Sequence, residues 1–156
     1  MRNLVTNSID HADGSGVTLR LATDGKASAL TVRDHGVGLQ PGQSAMVFNR
    51  FWRADPARAR TTGGTGLGLS IAVEDAHLHD GWLQAWGEPG DGAQFRLTVP
   101  RLRGVELAGS PIPLEPADSR RRRGSSAPRA AGPYSRPAPA PVPAPSAAQA
   151  DSGRTP

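Results

Sequence analysis

The sequence contains no cysteine in 156 residues, so neither a disulfide framework nor a thiolate metal site is available to it. It has no apolar run near the roughly 20 residues that span a bilayer, and its opening residues lack the apolar core of a signal peptide. These absences predict a soluble, cytoplasmic chain without a transmembrane segment. No lysine follows its richest glycine stretch, which excludes a Walker-type phosphate loop. A nucleic-acid partner is not expected either. The residues up to Gly104 carry 11 basic and 10 acidic side chains, so most of the formal charge of +4 lies beyond them.

What the sequence does hold is concentrated in Gly63-Gly64-Thr65-Gly66-Leu67-Gly68-Leu69-Ser70. Without a Cβ, glycine lets backbone N–H groups approach an anion and adopts positive φ at little cost. A helix starting beside such a loop adds unpaired N–H groups and the positive end of its dipole. The stretch therefore suits a phosphate, although a plain surface loop has the same composition.

Read in order, residues 2–12 predict a helix, with Leu4, Val5, Ser8, Ile9 and Ala12 on one face and Asn3, Asn7 and Asp10 on another. Asparagine is a mediocre helix former, so two of them one turn apart call for a reason. The helix begins almost at Met1 with no capping signal, which predicts sequence missing upstream. Val17, Leu19 and Leu21 alternate with polar partners as a half-buried strand, and Asp24-Gly25-Lys26 forms a hairpin turn. Leu30 and Val32 line the inward face of the next strand, and Asp34 is the following position on that face. A carboxylate there is costly unless a donor satisfies it. It either caps its own loop or accepts from a ligand, and Gly36 and Gly38 leave room for one.

Ser44 to Trp52 predicts a short helix whose Val47, Phe48, Phe51 and Trp52 anchor it to the body. Arg53 to Gly66 has the length, charge and glycine content of a lid. Leu67 to Asp80 follows a helical period and Gly81 is placed to end it, while Trp82 to Trp86 and Gln94 to Val99 read as two strands. The pattern predicts an α/β two-layer sandwich in which helices cover one face of a largely antiparallel sheet. Beyond Arg103 the character changes: 11 of the 15 prolines follow Gly104, Arg120 to Arg123 is a charge run, and proline occupies every second position from Pro137 to Pro145. Such a segment cannot offset its ordering entropy by burial. The sequence thus divides into a folded domain over residues 1–103 and a disordered tail over residues 104–156.

Four stretches, Asn3/Asn7, Asp34-x-Gly36-x-Gly38, Phe48-x-x-Phe51 and Gly64-x-Gly66-x-Gly68, resemble in order and spacing the N, G1, F and G2 boxes of the GHKL ATPases. The wording RNLVTNSIDHA, VRDHGVGL and VFNRFWRADPAR is similar to the ATP-binding catalytic domain of bacterial sensor histidine kinases of the MtrB type. The resemblance implies the Bergerat fold with a mixed sheet, truncated at its N-terminus, and ATP and Mg²⁺ as ligands. It implies that Asn7 gives an oxygen to Mg²⁺ with Asn3 nearby, that Asp34 accepts from the adenine amine, and that Gly36 and Gly38 turn the chain beneath the base. Gly64, Thr65, Gly66, Leu67, Gly68 and Leu69 would wrap the phosphates and open the helix facing them. Phe48 and Phe51 would pin the base of the lid. It implies as partners a histidine-bearing dimerisation domain, which receives the γ-phosphoryl group, and a response regulator.

The chain departs from that family at three points. Asp10 stands where a Lys or Arg is common, Ala93 where a hydroxyl residue is common, and no phosphoacceptor motif is present. The alternatives at this level are a stand-alone GHKL serine kinase of the anti-sigma type and a non-catalytic interaction fragment. His11, His35, His77 and His79 read as structural.

Overall fold

Alternation along one strand builds both faces of the sheet. In the computed structural model, which describes residues 1–54 and 65–119, strand β2 (Ala27–Asp34) turns Leu30, Val32 and Asp34 to one side and Thr31 and Arg33 to the other. It pairs antiparallel with β1 (Val17–Thr23) on one flank and with β4 (Gly92–Pro100) on the other, and β4 pairs antiparallel with β3 (Trp82–Glu88). The order is β1-β2-β4-β3. Every pairing among the described residues is antiparallel. Asp24 makes the β1–β2 turn, its Oδ1 accepting from the N–H of Lys26 at 2.8 Å and of Ala27 at 2.7 Å.

Register places Leu19, Val32, Phe95 and Ala85 in one row across the sheet. Against that face lie α1 (Arg2–His11), α2 (Gln43–Met46) and α3 (Gly68–Leu78). The core joins Leu4 of α1, Ala72 and Ala76 of α3, and Val47 to Val32, Leu83, Ala93 and Phe95. This is the two-layer α/β sandwich of the GHKL fold. Leu19 and Leu21, near the edge, remain exposed.

Two expectations change in detail. Only residues 43–46 of the short helical piece are α-helical; from Val47 the chain turns, and Phe51 takes φ 63°. At the end of α3 the left-handed residue is Asp80, with φ 54°, rather than Gly81. Gly81 is small because β4 passes it closely: a Cβ there would fall against the carbonyl oxygen of Thr98.

The larger correction concerns the segment expected to be disordered from residue 104. Residues 110–119 lie across the outer face of the sheet. Gln94 Nε2 donates to the carbonyls of Leu114 (2.7 Å) and Pro113 (3.4 Å), Arg96 Nη1 to that of Ile112 (2.5 Å), and Thr98 Oγ1 meets Ser110 Oγ at 3.0 Å. Pro111, Pro113 and Pro116 have no N–H to donate, but their segment offers carbonyls to a sheet face rich in donors. Polar complementarity holds this strap where composition predicts no packing. Residues 55–64 of the expected lid Arg53 to Gly66, the arginine run from Arg120 and the alternating prolines lie outside the described residues.

Candidate functional site

Asp34 ends β2 on the helix side, 2% exposed. Its Oδ1 accepts from the N–H of Gly36 at 3.1 Å and of Ala93 at 3.2 Å. Its Oδ2 is buried with no hydrogen-bond partner among the described residues. The two sequence readings of this carboxylate therefore share it. One oxygen caps the loop, and the other remains open to a donor that the described chain does not supply. An unpaired buried acceptor costs about 1–3 kcal/mol.

The loop after Asp34 is fixed by backbone packing. A Cβ on Gly36 would fall on the carbonyl oxygen of His11 at the end of α1, and one on Gly38, at φ 74°, on that of Glu88. These glycines admit neighbouring backbone rather than a ligand. Val37 O accepts from Gly90 N at 2.9 Å, which ties the loop to the β3–β4 turn. Gly92, which the sequence reading missed, packs against the backbone of Asp34: at φ 78° its Cβ would strike the Asp34 carbonyl oxygen. The contact of Ala93 with Asp34 comes from the backbone and does not depend on side-chain identity.

Arg33 was also missed. It is 4% exposed on the opposite face of β2. Its Nη1 donates to the carbonyls of Asp34 (2.7 Å) and Ala93 (3.4 Å), and its Nη2 to that of Asp91 (2.7 Å). The guanidinium carbon stands 5.1 Å from the centre of the Trp86 ring, and Asp91 and Asp118 lie within 3.5 Å as counter-charges. Its only sequence signal was adjacency to Asp34.

Near the start of α1, Asn3 Nδ2 donates to Gly68 O at 3.1 Å and so links α1 to the first residue of α3. Asn7, one turn further along α1, is half-buried and makes no hydrogen bond to a described residue. No side chain caps the N-terminus of α3, whose leading N–H groups precede the intrahelical ladder. Thr65 is exposed, and Gly66, at φ 70°, accepts from Phe51 N at 3.0 Å, while Leu67 and Leu69 are half-buried. Gly64 lies outside the described residues. The structure thus brings together Asn3, Gly66, Gly68 and Phe51 by direct contact, and places Asp34 at the other end of α1 through the Gly36–His11 approach.

Phe48 packs edge-on against Phe95, with ring centres 6.4 Å apart. Phe51 does not join it, for its ring is 71% exposed. The packing expected of Phe51 falls to Val47 and Trp52, and Phe51 meets Gly66 through its backbone N–H. Among the described residues, no three His, Cys, Asp or Glu side chains converge on a metal site, and His77 and His79 are exposed. No described helix is long and apolar enough to cross a membrane.

Residues 1–103 match the family described as histidine kinase-, DNA gyrase B- and HSP90-like ATPases. The chain belongs to that family. It is 59% identical over 116 residues to the sensor histidine kinase MtrB of Mycobacterium tuberculosis, covering 74% of this chain and 20% of that protein. It is 42% identical over 103 residues to the sensor-like histidine kinase SenX3 of Mycobacterium bovis, covering 65% and 25%. Among solved structures, the mycobacterial sensor histidine kinase MprB superposes with TM-score 0.53 at 28% identity, over 63% of this chain and 65% of that one. Full-length ShkA in complex with AMPPNP also gives TM-score 0.53, at 31% identity, over 62% and 19%. The chain spans about a fifth of the length of the MtrB relatives. It is a histidine-kinase-type ATPase domain, and the MtrB match runs 13 residues longer than the family match.

Proposed function

We propose that this domain binds Mg-ATP and presents the γ-phosphoryl group to a histidine on a separate dimerisation domain, as the catalytic part of an MtrB-type sensor kinase in the cytoplasm. The observation that carries the reading is the buried, unpartnered Oδ2 of Asp34. A purine amine is a donor of the right kind for it, while Oδ1 stays engaged with Gly36 and Ala93. At the other end, the uncapped N-terminus of α3 offers N–H groups and a dipole to phosphate oxygens. Thr65, Gly66, Leu67, Gly68 and Leu69 would border the phosphates, with Asn3 holding Gly68 in place.

The fit of Mg²⁺ rests on Asn7. The carboxamide of half-buried Asn7, unbound by described residues, would offer an oxygen to a hard cation whose remaining ligands are phosphates and water. When bound, the ion neutralises phosphate charge. The chain's own part is positioning: Asp34 fixes the base, Asn3 and Gly68 fix the phosphate end, and the Phe48 cluster fixes the lid base. A histidine-bearing dimerisation domain and a response regulator would be its partners.

Titration of the folded protein with Mg-ATP tests this, with saturable binding expected and its absence overturning the reading. Asp34→Asn replaces a charge-assisted acceptor worth about 1.5–3 kcal/mol, so affinity should fall roughly 10- to 150-fold. Unchanged affinity would assign the adenine elsewhere. A serine on a small protein partner accepting the phosphoryl group would instead favour the anti-sigma type of kinase.

A further inference from the structure

Asp34 and Arg33 are consecutive residues pointing to opposite faces of β2, and the second grips the backbone that aims the first. Arg33 Nη1 bonds the carbonyls of Asp34 and Ala93, the two residues joined on the other face by the Ala93 N–H to Asp34 Oδ1 bond. A guanidinium 4% exposed needs acidic neighbours to remain there, and they come from two places: Asp91 in the β3–β4 turn and Asp118 in the strap. Asp118 has a second contact, its Oδ2 lying 3.5 Å from His35 Nε2. It therefore touches the residues on both sides of Asp34. The strap is built to deliver it: Gln94, Arg96 and Thr98 hold residues 110–114, and Ser119, fully buried, bonds Glu115 Oε1 at 3.0 Å beside Asp118.

We propose that residues 110–119 are part of the nucleotide site, and that Asp118, acting through Arg33 and His35, is a positioning residue for the adenine-binding carboxylate of Asp34. The inference rests on the ATP reading of Asp34. A segment outside the four sequence boxes then sets base affinity from behind the sheet, and its detachment would weaken nucleotide binding without touching the phosphate end.

The test uses the full chain and two nucleotides, Mg-ATP and Mg-ITP, whose base has an oxygen in place of the exocyclic amine. Asp118→Ala should lower the ATP-to-ITP affinity ratio about fivefold, as expected for a residue coupled to the site through one intermediary. Asp118→Glu, which keeps the charge, should restore it to within about twofold. A merely structural role would weaken both nucleotides equally and leave the ratio unchanged, overturning the proposal. So would an unchanged ATP affinity in Asp118→Ala while the unaltered protein binds normally. Failure of the folded, unaltered protein to bind Mg-ATP would overturn the ATP reading itself, and this inference with it.

Discussion

The two faces of the sheet are buried to similar depth by opposite chemistries. On the helix side, Val32 and Phe95 sit in an apolar cluster at 0% and 2% exposure. On the strap side, Thr31, Arg33, Gln94, Arg96 and Thr98 are at most 7% exposed, and beside them on β2 only the small side chains of Ala27 and Ala29 are apolar. The first face is stabilised by removing hydrocarbon from water, which requires only approximate complementarity. The second is stabilised only if its donors find acceptors, because an unmet buried polar group is costly. Helices suit the first and a proline-bearing strap of carbonyls suits the second. Burial alone, then, does not distinguish a core from a docked segment.

Substitutions can sharpen this contrast. Phe95→Ala should have the largest effect, about 3–5 kcal/mol from lost transfer energy and a cavity beneath Phe48, read by chemical denaturation. On the strap face, Arg96→Met removes the donor to Ile112 O and the partner of Gln84 Oε1, and should cost about 1–3 kcal/mol by the same measurement. Arg20 stands in the same cross-strand row, on β1, but is exposed beyond the strap. Arg20→Met should therefore stay within about 0.5 kcal/mol, and a loss as large as that of Arg96→Met would mean that the strap does not decide the difference.

The last expectation concerns the β1–β2 turn, which belongs to neither face. The N–H groups of Ala27 and then Lys26 hold the Asp24 carboxyl below its usual value. A carboxyl depressed in the folded state contributes its stability above the unfolded pKa and loses it as pH falls through the acid range. Denaturation at a series of acid pH values should show a shallower decline for Asp24→Asn than for the unaltered protein.

Much of the helix side was legible in the sequence. Leu30, Val32 and Asp34 at period two defined the inward stripe, and Asp34 ends it buried. Asn3 was legible as a helix residue of unusual type, although its bond to Gly68 O spans 65 residues and required the fold. Phe51 misled because its spacing suits an anchor, whereas its positive φ turns the ring outward. The strap side misled more fully. Polar residues alternating with a buried stripe normally face water, and prolines in a polar segment normally mark disorder. Each rule is local, and the two exceptions cancel one another only when the segments meet.

The sequence by itself determined where the strands alternate and where the helices run, since these follow from neighbouring residues and their conformational preferences. The tertiary structure alone decided which oxygen of Asp34 stays free, why Arg33 can be buried beside it, and that residues 110–119 belong to the folded body. Those outcomes depend on satisfying buried polar groups with partners distant in sequence, and no local pattern records whether such a partner arrives.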